Sequence, residues 1–103
     1  MTKRQIIFNY NQAINQAKKL ENIAKNMDRL SKDKLNDTLG TLKNAWRSDN
    51  SPQYYSKAAK VQEDIRSTAN NIRRTAQGIR TTAEAVKRAE LRALEIAKSR
   101  SYR

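Results

Sequence analysis

The chain has 103 residues, with 22 Lys and Arg against 10 Asp and Glu for a formal net charge of +12, and only 37% hydrophobic residues. A single chain of this size and composition has a thin core and at most one small domain. Cys and His are both absent, which excludes disulfides, removes the commonest metal ligand and general base, and leaves no catalytic constellation to assemble; a non-enzymatic protein needing neither cofactor nor metal is expected.

The first predicted element is a long helix, about residues 4–47. Ile6, Tyr10, Ala13, Ala17, Leu20, Ala24 and Met27 are spaced 4, 3, 4, 3, 4 and 3, which places one apolar seam along a helix. The seam then slips by one residue, from Leu30 to Leu35, Leu39, Leu42 and Trp46. A straightening or local unwinding near Ser31 to Lys34 would keep one stripe facing inward.

The stretch "NAWRSDNSPQYY", Asn44 to Tyr55, holds the only Trp and the only Pro. Ser48, Asp49, Asn50 and Ser51 are turn and cap residues, and Ser51 before Pro52 reads as N-cap then first helical residue. A turn is expected at about 48–51. Trp46 and Tyr54 would then meet across it, either as a packing plug or as a recognition element.

The second predicted helix, about residues 52–98, contains four consecutive sevens: "IRSTANN", "IRRTAQG", "IRTTAEA" and "VKRAELR". Its seam alternates 3 and 4 through Ala58, Val61, Ile65, Thr68, Ile72, Thr75, Ile79, Thr82, Val86, Ala89, Ala93 and Ile96. Ala69, Ala76 and Ala83 stand on one flank and Asn71, Gly78 and Ala85 on the other, where a two-stranded zipper would carry Glu and Lys. Small flanks let two neighbours approach at once. The fold expected is an all-α antiparallel two-helix hairpin, a single domain over 1–103, that pairs into a four-helix or larger bundle. Val61, Ile65, Ile72, Ile79, Val86 and Ile96 are the candidate partner-binding seam, and the isolated chain is expected to self-associate or fold only partly.

Arg66, Arg73, Arg80 and Lys87 recur every seven residues as a basic ribbon. Three readings stand: a solvated face, a docking line for an acidic protein, or a phosphate-binding face for nucleic acid. The ribbon lies away from the turn aromatics, so no stacking platform for single strands is visible. An amphipathic membrane-surface binder is a further option. No apolar run is long enough to span a bilayer, and no cleaved secretory signal is visible at the N-terminus.

Trp46, Ser48 and Tyr54 match the pattern W-x-G followed six residues later by an aromatic, with Ser48 in the Gly position, between two helices in about one hundred residues. In length and layout the chain resembles the WXG family of small helical hairpins of bacterial type VII secretion. The resemblance implies a targeting partner or chaperone that pairs with another helical protein, an acidic effector, toxin N-terminal domain or related hairpin, with no small-molecule substrate. It also implies residence in the bacterial cytoplasm and co-export with that partner by a route independent of a signal peptide. The family's export signal, Tyr-x-x-x-Asp/Glu, has its closest equivalent here in "VKRAE", with Val86 in the Tyr position and Glu90 as the acid. The alternative is a basic hairpin dimer that binds nucleic acid through the ribbon.

Overall fold

The computed structural model describes the backbone of residues 2–45 and 51–101, with side chains to Thr41 in the first stretch and at Gln53 and 56–100 in the second. The described residues are helical almost throughout, with no strand among them. The first arm is α1 (Lys3–Arg29), a five-residue π-turn (Leu30–Lys34) and α2 (Leu35–Ala45); the second arm is one helix, α3 (Ser51–Ser101). The chain is an antiparallel helical hairpin, as expected, although its second helix runs to 51 residues and starts at Ser51 rather than 52. Trp46 and Ser48 lie outside the described residues, as does the side chain of Tyr54. No helix among the described residues is long and apolar enough to cross a membrane.

α1 opens on a capping box. The Thr2 hydroxyl accepts from Gln5 N–H at 3.2 Å while the Gln5 side-chain oxygen accepts from Thr2 N–H at 2.9 Å, so two amide donors that the first turn cannot pair are satisfied reciprocally. This starts the helix one residue before the expected boundary.

The chain forms two compact units, Met1–Leu20 with Arg74–Arg103, and Glu21–Arg73. In the first, Ile6, Ala17 and Ala76 are buried, with Tyr10, Ala13, Leu20, Ile79 and Ala83 half-buried. In the second, Ala24, Ser31, Leu39 and Ala69 are buried, and Met27, Leu35, Ile65 and Ile72 half-buried. The 4-and-3 seam of the first arm thus lies inward residue for residue. Four of the buried positions, Ala17, Ala24, Ala69 and Ala76, are wholly buried alanines, small side chains of the kind that let two helices approach closely.

The slip in the first arm is the π-turn. Leu35 N–H donates to Leu30 O, five residues back, instead of to the carbonyl four back that an α-helix uses. The inserted residue lets Ser31, wholly buried, take the inward position, while Leu30, which the seam reading placed inward, is 44% exposed. Gln62 of α3 holds the turn in place. Its side-chain amide donates to the Ser31 carbonyl and, at 2.7 Å, to Asn36 Oδ1. The Ser31 hydroxyl in turn donates to the Gln62 carbonyl at 3.1 Å. No described buried side-chain polar atom lacks a partner.

Candidate partner-binding face

α3 has two apolar lines, and the hairpin uses one of them. Ala69 and Ala76 are wholly buried and Ala83 half-buried, whereas the opposite flank, Asn71, Gly78 and Ala85, is exposed. The residues expected to form the partner seam divide accordingly. Ile65, Ile72 and Ile79 lie at the edge of the hairpin contact and are half-buried; Val61, Val86 and Ile96 remain 53%, 47% and 48% exposed. Thr68, Thr75, Thr82, Ala89 and Ala93 share their stripe and are exposed too. The seam at Ile65, Ile72 and Ile79 is therefore shared between the hairpin and the outside, and the remainder is exposed.

Within the unit formed by Met1–Leu20 and Arg74–Arg103, the open stripe forms one wall of a cleft of about 540 Å³. Ile6, Asn9, Tyr10 and Ala13 form the α1 wall; Thr75, Ile79, Thr82 and Val86 lead the α3 wall, with Gly78 and Ala83 beside them and Lys87 and Glu90 toward the far end. Val86 and Glu90, one turn apart on α3, both line this cleft.

The basic ribbon is largely engaged with the first arm. Arg73 pairs with Asp28 of α1 and donates to Asn70 Oδ1 at 2.9 Å. Lys87 places its ammonium 4.0 Å from the centroid of the Tyr10 ring, a cation–π contact, and 3.9 Å from Glu84 Oε1. Arg80 is half-buried and acts electrostatically on Tyr10; Arg66 is exposed. Seven-residue spacing put these cations on one line, but the line borders the hairpin contact, and two of its members act as stitches between the arms. Binding phosphates through Arg73 and Lys87 would require those contacts to be given up.

Tyr10 is the centre of the second stitch. Its hydroxyl donates to Glu84 Oε2 at 3.0 Å, while Arg88 Nε lies 3.8 Å from the other oxygen of the same carboxylate. That hydrogen bond, then partial burial and the negative charge of Glu84, hold the Tyr10 pKa above its ordinary 10.0, with Arg80 pulling the other way. A raised folded-state value means that Tyr10 contributes stability in full below pH 10 and loses it as pH climbs through the folded value. The melting temperatures of the parent and Tyr10→Phe should therefore differ at neutral pH and converge above pH 10. The tyrosinate absorbance lost in Tyr10→Phe should titrate above pH 10.

Sequence reasoning missed three of these features. The Thr2–Gln5 box was legible as T-x-x-Q. The Gln62 clasp and the Tyr10–Glu84 bond join residues 31 and 74 positions apart and carry no local signal. Compared with known protein families, with curated proteins and with solved structures, the chain matches none.

Proposed function

We propose that this chain is a non-enzymatic helical partner of the WXG kind, which binds the helical domain of a larger effector and accompanies it into bacterial type VII secretion. One observation carries the reading. α3 fills one flank with the alanine line of its own hairpin and leaves a second apolar stripe, Val61, Val86 and Ile96 with the threonines between them, exposed to solvent. An exposed apolar stripe that continues at helical spacing is what a further helix covers in a bundle. Full burial of a Val or Ile contributes about 1.5–3 kcal/mol, and about half the surface of each of these three is left to cover, so together they add a few kcal/mol at most. Affinity then depends on the whole stripe acting together.

The Trp46-x-Ser48 and Tyr54 pattern and the two-arm helical layout support the same reading. Val86 stands where the family's signal has Tyr, so the exported complex carries its address on the other chain. Deleting the effector gene should leave this protein in the cytoplasm, and deleting this protein should block delivery of the effector. Efficient secretion in a strain lacking every candidate partner would contradict the proposal.

A further inference from the structure

Charge is distributed unevenly over the hairpin. In Met1–Leu20 with Arg74–Arg103, twelve Lys and Arg stand against three Glu, a net +9; in Glu21–Arg73, ten stand against seven acids, a net +3. The first twenty residues contain no carboxylate at all. The apolar cleft belongs to the +9 unit.

We infer that this cleft seats an acidic amphipathic helix of the partner, with its apolar stripe against Ile79, Thr82 and Val86 and its carboxylates in the positive field of the +9 unit. The inference deepens the partner-binding reading and rests on it. Shape is the first argument. Thr75, Ile79, Thr82 and Val86 are spaced 4, 3 and 4 along one wall, the periodicity that an i, i+3, i+4, i+7 set of anchors meets. From Thr75 to Glu90 the wall is about 22 Å long at about 1.5 Å per residue, roughly four helical turns. Its side chains are short, and at Gly78 there is none: a Cβ placed there meets nothing within 4 Å. A second helix can come close.

Charge decides among occupants. A second copy of this chain would bring +9 against +9 at the same place, which opposes association. A nucleic acid would satisfy the charge but leave the apolar wall uncovered, and the cation lining the cleft, Lys87, already faces Tyr10 and Glu84. An acidic helix meets both requirements. Glu90, also on the lining, repels the partner's carboxylates from its end of the cleft, so it orients the docked helix.

The test uses the full chain and two synthetic helical peptides with the same leucine stripe, one flanked by Glu and one by Lys, titrated by calorimetry. The Glu peptide should bind, the Lys peptide should bind at least about tenfold more weakly. Affinity for the Glu peptide should fall between about 0.1 M and 1 M salt, where the screening length shrinks from about 10 Å to about 3 Å. Gly78→Phe fills the cleft from a position with no neighbour and should weaken binding by at least about tenfold with helix content and melting temperature retained. Val86→Glu, on the same exposed wall, should do likewise through charge, and it serves as the blocking variant if Gly78→Phe disturbs the fold. Equal binding of both peptides, binding of neither, or undiminished binding by a folded blocked variant would overturn the inference. An effector that depends on this chain for secretion but protects only residues 21–73 would also overturn it, while leaving the secretion reading intact.

Discussion

Deleting Lys32 should leave the hairpin folded, whereas deleting Lys18 should abolish its cooperative melting. Both are exposed lysines of the first arm, so loss of the side chain alone predicts no difference. The π-turn separates them. From Met27 inward positions follow at Ser31, Leu35 and Leu39, three successive steps of four, one residue more than a regular 4-3-4 stripe. Removing Lys32 takes out that extra residue, restores the regular spacing and lets the first arm close into one α-helix with the same face inward. The cost is the Gln62 clasp, about 1–3 kcal/mol, offset in part by better α-helical hydrogen bonds. Removing Lys18 has no such compensation. Every residue after it turns by about 100° relative to those before it, and Lys25 enters the place that Ala24 holds, which is fully buried. An unpaired buried charge costs several kcal/mol, comparable to the entire stability of a small hairpin. Circular dichroism melts of the two deletions decide the matter; equal destabilisation would show that the π-turn is not the seat of the register slip.

Ala76→Leu should destabilise the chain by about 1–3 kcal/mol, the usual cost of inserting methylenes into a filled contact, while Thr82→Leu should be neutral or mildly stabilising. Ala76 is wholly buried; Thr82, six residues on along the same helix, is exposed. Helix propensity runs Ala above Leu above Thr, so it pushes each substitution in the expected direction but by only a few tenths of a kcal/mol; the remainder of the contrast comes from packing. In a domain of this size 1 kcal/mol moves the melting temperature by about 4–8 °C, and urea unfolding gives the difference directly. A neutral Ala76→Leu would mean that the alanine line is not the contact that sets the separation of the arms.

The first arm was legible because large and small apolar residues alternate at 4 and 3, and Ile6 through Met27 lie inward as that spacing requires. Its slip was legible as an arithmetic fault at Leu30–Leu35, and the π-turn at Leu30–Lys34 is the physical form of that fault. The second arm was legible as heptads but not in its orientation. Ile65, Ile72 and Ile79 draw attention by size, yet Ala69 and Ala76 beside them are the wholly buried residues, because packing between helices favours small side chains that carry almost no hydrophobic signal. The ribbon shows the converse: Arg66, Arg73, Arg80 and Lys87 share a spacing, but Asp28 and Tyr10, which capture two of them, lie on the other arm.

Side-chain footprinting of the protein, free and in the effector complex isolated from its native cell, tests the central claim most directly. If the second apolar stripe of α3 is the partner-binding face, Val86 and Ile96 should react with hydroxyl radical in the free chain and be protected in the complex. Undiminished reactivity of both residues in that complex would contradict the account.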